Sequence, residues 1–143
     1  MRRKICNSWR VMSVALALAC NSAAADVVAV VSTNSPVTTL TRSQVADLFL
    51  GRITRFPDGS SAVPIDQGEG SAARDEFYKS FASKSAAQVK AYWSKIIFTG
   101  RGQPPRTATN DAQIKQLLAT NPQAISYLDR RVLDSSVRVL TVQ

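Results

Sequence analysis

Apolar residues along the chain alternate between two spacings, and each change of spacing marks an element. Val27–Ser32 (VVAVVS) is a continuous valine-rich run, the pattern of a strand covered on both faces. In LTRSQVADLFLG the spacing becomes helical: Thr41 is a candidate N-cap, Val45, Leu48 and Phe49 share a face, and Gly51 is a stop. Pro57, Asp58 and Gly59 supply turn chemistry, and Ala62–Asp66 (AVPID) is a second short strand. A helix from Ser71 places Ala73, Phe77 and Phe81 together, and a further one over SAAQVKAYWSKIIF turns Val89, Trp93, Ile96 and Ile97 inward. Trp93 and Phe98 are expected in the core. GRGQPPR is too polar and proline-rich for either period and reads as a loop. Asn110–Asn121 then carries Ile114, Leu117 and Leu118 at helical spacing, and AISYL and VRVLTV close the chain as strands. Strand, helix, strand, three helices and two strands predict a compact α/β domain with a small, mainly parallel sheet flanked by helices.

The first 25 residues do not fit that scheme. Arg2, Arg3, Lys4 and Arg10 form a basic start, Val11–Ala19 an apolar stretch, and Ala23-Ala24-Ala25 a small-residue cleavage site. That order is the signature of a cleaved export signal, too short to span a bilayer, with one domain over 26–143. Cleavage after Ala25 is preferred to lipidation at Cys20, because Ala17 stands where a lipoprotein box has a larger aliphatic residue. The rest of the motif that would go with a twin-arginine route is missing beside Arg2-Arg3. The expected location is the periplasm, with no membrane insertion after cleavage.

Cleavage changes the chemistry. Cys6 and Cys20 both lie in the signal, so the mature chain has no disulfide and no thiolate metal site. Histidine is absent throughout, which removes the commonest general base and zinc ligand. Four of the 18 basic residues also go, leaving 14 against 10 acidic ones. This modest excess is scattered, unlike the clustered stripe of a nucleic-acid-binding surface. No metal or cofactor is expected.

The segment that invites a functional reading is IDQGEGSAARDEF, Ile65–Phe77, where a strand hands over to a helix. In α/β folds ligands sit beyond the carboxyl ends of strands, and a helix start offers unpaired N–H groups and the positive end of the dipole to an anion. Gly68 and Gly70 permit close backbone approach, Ser71 can cap or donate, and Arg74 adds a guanidinium. The alternative is structural: turn glycines, a serine cap, and Arg74 paired with Glu69 or Asp75.

Three stretches together resemble the periplasmic phosphate-binding proteins, the solute receptors of phosphate ABC transporters. GSAARDEF is similar to their G-S-G-T-R-D-x-F segment. LTRSQVADLFLGRITRFPDG is similar to L-[TS]-x-x-Q-[LV]-x-D-I-F-x-G-K-I-x-x-W, and NDAQIKQLLATNPQAISYLD to a closing V-x-x-x-P-G-A-I-G-Y-[VI]. YWSKIIFTGRGQPP resembles short, single-domain relatives at the same point. The resemblance implies one lobe of a two-lobed receptor, with phosphate or a related oxyanion bound by Gln67, Gly68, Glu69, Gly70, Ser71 and Arg74. It also implies a permease as partner, or a second subunit in place of the missing lobe. Within the motif, Gln67 stands where the family has arginine, Glu69 matches its proton-accepting acid, and Ala72-Ala73 replaces its glycine-threonine pair. One arginine-to-oxyanion bond is worth roughly 1.5–3 kcal/mol, so these replacements weaken the grip.

Two other function classes stand beside this one. The fold can serve as an envelope interaction or sensor module, with Tyr92–Phe98 and the GRGQPPR loop as its surface. An enzyme would have to rely on Asp66, Glu69 or Asp75 for acid–base work, and capping accounts for residues at these positions without catalysis. The chain is therefore expected not to be an enzyme.

Overall fold

A mixed sheet and four helices account for residues 25–143, the part of the chain that the computed structural model describes. In chain order the elements are β1 Val27–Ser32, β2 Thr39–Leu40, α1 Arg42–Phe49, β3 Val63–Gln67, α2 Ala72–Ala82 and α3 Ala86–Phe98. There follow β4 Arg106–Ala108, α4 Asp111–Thr120, β5 Ala124–Asp129, a 3₁₀ turn Arg130–Val132, β6 Val137–Val139 and β7 Thr141–Val142. The five-stranded sheet has the order β4-β3-β5-β1-β6, and β2 pairs with β7 in a separate ribbon. The signal segment and Cys20 lie outside the described residues.

The single α/β domain agrees with the sequence reading, and the sheet is more mixed than expected. β3 runs parallel to β4 and β5, as helical crossovers require. β1 runs antiparallel to both β5 and β6, so it alone has the other sense, while β6 runs the same way as β3, β4 and β5. The short 3₁₀ turn after β5 lets the chain return to the far side of β1.

Both faces of the sheet are covered. Val31 and Val30, adjacent in β1 and 0 % exposed, enter two different cores. One core holds the apolar faces of α1, α2 and α3 around Leu48, Phe49, Phe77, Tyr127 and Trp93. The other packs Ile114 and Leu118 of α4 on Ile65, Ala124 and Leu128. Phe77 and Tyr127 stack with centroids 4.0 Å apart and planes 6° from parallel, and Phe49 meets Phe77 edge-on at 4.7 Å. Helix starts follow the sequence signals: Thr41 and Ser85 form capping boxes with Gln44 and Gln88, and Ser71 and Asn110 cap α2 and α4.

Three expectations are corrected. Phe98 is 93 % exposed and Ile97 52 %, because the last turn of α3 projects past its packing partners. The stretch read as a loop through Arg106 gives up its final residue to β4, which pairs with β3 at the sheet edge. VRVLTV is two strands, broken at Leu140, whose N–H turns to the carbonyl of Ala29.

Gly51 closes α1 at φ 66°, and a Cβ there would sit 3.1 Å from Cη2 of Trp93. Gly51→Ala is expected to destabilise the fold by about 1–2 kcal/mol, from the left-handed backbone penalty and the contact together. Urea unfolding followed by Trp93 fluorescence checks this, and a loss below 0.5 kcal/mol (roughly the scatter of surface substitutions) contradicts it.

Candidate functional site

The segment between β3 and α2 folds as a turn leading into a helix start. Gly70 adopts φ 86°, which an L side chain resists, and Ser71 then accepts a 3.3 Å hydrogen bond from the N–H of Arg74. The Ser71 hydroxyl donates to Gln67 Oε1 at 2.6 Å, and Gln67 Nε2 donates to the carbonyl of Tyr127 at 3.2 Å. Gln67 thus braces the turn against β5 instead of reaching into solvent. Among the described residues, the N–H groups of Glu69, Gly70, Ala72 and Ala73 have no hydrogen-bond acceptor. They form a concentration of free donors at the positive end of α2.

Beneath the turn lies a buried polar cluster centred on Asp66, which is 4 % exposed. Its Oδ1 accepts from Gln67 N at 2.8 Å and from the Tyr127 hydroxyl. Its Oδ2 accepts from the Tyr78 hydroxyl at 2.7 Å and from Arg74 Nε at 3.4 Å. Burial raises the pKa of both tyrosines well above the usual phenol value, and the Asp66 carboxylate adds to that. They therefore act as donors. Burial disfavours the Arg74 cation, but the Asp66 charge and its neighbours outweigh it, and the guanidinium pKa is raised.

Arg74 therefore pairs with neither Glu69 nor Asp75. It lies inside the fold, 8 % exposed, on Asp66. Glu69 instead meets Lys90 of α3 at 3.3 Å, with both side chains more than 60 % exposed, where such pairs contribute little.

Two cavities flank the turn. One, of about 220 Å³, is lined by Gln67, Gly68, Glu69 and Ser71 together with Ala108–Asn110 at the start of α4. The other, of about 280 Å³, also reaches Gln67, Gly68 and Glu69, and adds Arg74, Lys90 and Trp93. The structure thus divides the six candidate residues: Ser71 belongs to the first cavity, Arg74 to the second, and Gly70 lines neither. A third hollow over Ser71–Ala73 brings Arg131 near. That cation is held by Asp129 at 2.6 Å, and the hydrogen bonds from Arg131 lower the Asp129 carboxyl to about 2. Among the described residues there is no group of three or more acidic, histidine or cysteine residues that could hold a metal.

The sequence pattern puts Asp66 in one strand and Tyr127 in another without linking them. The available signal was Asp66 itself, an ionisable residue in an apolar run that must find partners when buried.

No protein-family model matches the chain, and no curated protein does. Solved structures do match. An ABC-type phosphate transport receptor from Vibrio cholerae superimposes with TM-score 0.63 and 20 % identity, over 81 % of this chain and 45 % of the receptor. A phosphate ABC transporter substrate-binding protein from Clostridium perfringens, solved with bound phosphate, gives 0.63 and 23 %, over 81 % and 44 %. The fold is that of one lobe of such a binding protein. The chain spans less than half the length of these receptors.

Asp66→Asn leaves the Arg74 cation buried without its partner and should cost about 3–5 kcal/mol. Tyr78→Phe removes one donor from a buried carboxylate and should cost about 1–3 kcal/mol. Urea unfolding of both variants measures this. Equal, small losses would show that the Asp66 cluster does not hold the fold.

Proposed function

We propose that this chain is an exported solute-binding protein that takes phosphate or a related oxyanion at the start of α2, for presentation to an ABC permease. The observation that carries the reading is the set of free N–H groups on Glu69, Gly70, Ala72 and Ala73, beyond the carboxyl end of β3. Their dipole and donor geometry suit an anion. The likeness to receptor lobes supports it, one of those proteins having phosphate bound. Cleavage after Ala25 would release it into the periplasm, and no helix among the described residues is long and apolar enough to cross a membrane. The site is a binding site, with no catalytic role for its residues.

Affinity rests on backbone donors, because the polar side chains are committed elsewhere: Gln67 to Ser71 and Tyr127, Arg74 to Asp66. Glu69 beside the loop can accept a hydrogen bond from hydrogen phosphate but repels fully ionised sulfate, which orders the two anions. One lobe by itself should bind no more tightly than roughly micromolar, and a facing lobe or a second subunit would supply the other wall.

A second reading is an envelope interaction module with a vestigial pocket. The exposed Ile97 and Phe98 at the end of α3 favour it.

Calorimetry separates the two. Phosphate should bind more tightly than sulfate, and Glu69→Gln should narrow the gap. Ala72→Pro removes one free donor at the first helical position, where proline is well tolerated and the preceding Ser71 is already extended at ψ 125°. It should weaken phosphate by about 1.5–3 kcal/mol with the fold intact. Absence of binding by either anion at millimolar concentration leaves the interaction module. Mass spectrometry of the exported protein should give Asp26 as its first residue, and a lipid on Cys20 would contradict that.

A further inference from the structure

The cavity on the α3 side of the turn is not explained by an inorganic anion at the helix start. Its volume of about 280 Å³ is room for about nine water molecules at ~30 Å³ each, well beyond a five-atom tetrahedral ion. Its lining is two-sided. Trp93, Ile97, Pro104 and Pro105 form an apolar wall, and Arg74 and Lys90 supply the cations.

Arg74 is the group that points to a ligand. It is 8 % exposed, and its hydrogen bond to Asp66 uses Nε alone. Neither Nη is sealed from solvent, and neither has a partner among the described residues. Up to four N–H bonds of a buried cation are thus left open where the residue lines the cavity. Trp93, 6 % exposed, lines the same cavity; its Nε1–H is sealed from solvent beside the Tyr78 hydroxyl, and its opposite edge lies against Gly51.

The carboxylates bound the ligand's charge. Asp66 and Glu69 line the same cavity and balance Arg74 and Lys90. Asp66 already accepts from four donors, and Glu69 faces outward to Lys90. A bare dianion gains little from a balanced lining. A single negative charge can take the open guanidinium donors, provided that its remainder is content against indole and proline.

We propose that this cavity binds a small organic monoanion, a carboxylate or phosphonate with a short alkyl group. The oxyanion head sits on Arg74 and Lys90, and the alkyl group packs on Trp93, Ile97, Pro104 and Pro105. This site is separate from the donors at the start of α2, although Gln67, Gly68 and Glu69 border both.

Trp93 is the sole tryptophan of residues 25–143, so its fluorescence reports the cavity. Acetate, butyrate and hexanoate, and methyl- and butylphosphonate, are titrated against the mature protein. Affinity should rise about fourfold per added methylene within each series, from ~0.8 kcal/mol per buried CH₂. The series with the tighter members identifies the head group. Ile97→Asp, at a half-exposed position on the cavity wall, should weaken binding at least tenfold. Phe98→Asp, next to it but off the cavity, should change it less than twofold; circular dichroism verifies that both variants fold. Ala72→Pro should leave this binding unchanged while weakening phosphate, so failure here and failure of the phosphate site are told apart. No saturable signal, no dependence on chain length, or equal effects of the two aspartate variants would overturn the proposal.

Discussion

The architecture depends on satisfying one buried carboxylate. Asp66 sits near the end of β3 and is held by donors from three elements: Gln67 N beside it, the Tyr127 hydroxyl on β5, and Tyr78 and Arg74 on α2. An unpaired carboxylate at that depth would cost several kcal/mol, so each donor has to arrive in place. Bringing Tyr127 there lays its ring flat on Phe77, and bringing Tyr78 there fixes the rotation of α2 about its axis. The aromatic core and the angle at which α2 leaves the turn are therefore consequences of one ionic group.

The same constraint shapes the site. Arg74 is one turn into α2, and a helix rotated to satisfy Asp66 cannot also present that side chain at its own N-terminus. The guanidinium is thereby directed away from the turn before α2 and toward the cavity beside α3. Ser71 and Gln67 satisfy each other, which leaves backbone N–H groups as the donors of the loop. These are fixed in place by the Gly70 turn and the Ser71 cap and need no reorganisation to receive an anion.

Much of this was legible in the residues. The valine run of β1, the caps at Thr41, Ser71 and Ser85, and the faces built on Val45 and Phe77 are local signals, and local physics determined the outcome. The misses share a cause. β4 is three residues long and exists because the edge of β3 offers it partners. The two antiparallel pairings follow from where β1 is inserted, which no short-range pattern encodes. Arg74 was read by its position in a motif, whereas its direction was decided by an aspartate eight residues earlier. Phe98 has the composition of a core residue, but the last turn of α3 outruns the surface that would cover it.

What one lobe by itself could do with an anion follows from its having a single wall. In a two-lobed receptor, closure removes water from both sides of the ligand, and each donor then acts in a low effective dielectric. An anion at the start of α2 of the lobe alone would keep solvent on its outer side. Each N–H contact would be discounted by water that competes for the same oxygen atoms. Adding donors to the loop would recover little of that loss. Covering the face would recover more, because it raises the strength of every contact already present without changing any of them. The exposed Ile97 and Phe98 stand at the end of α3, and Ile97 lines the cavity that also reaches Gln67–Glu69. A wall seated on them would bury apolar surface and dry the adjoining site in one step, so coverage and anion affinity would be thermodynamically linked.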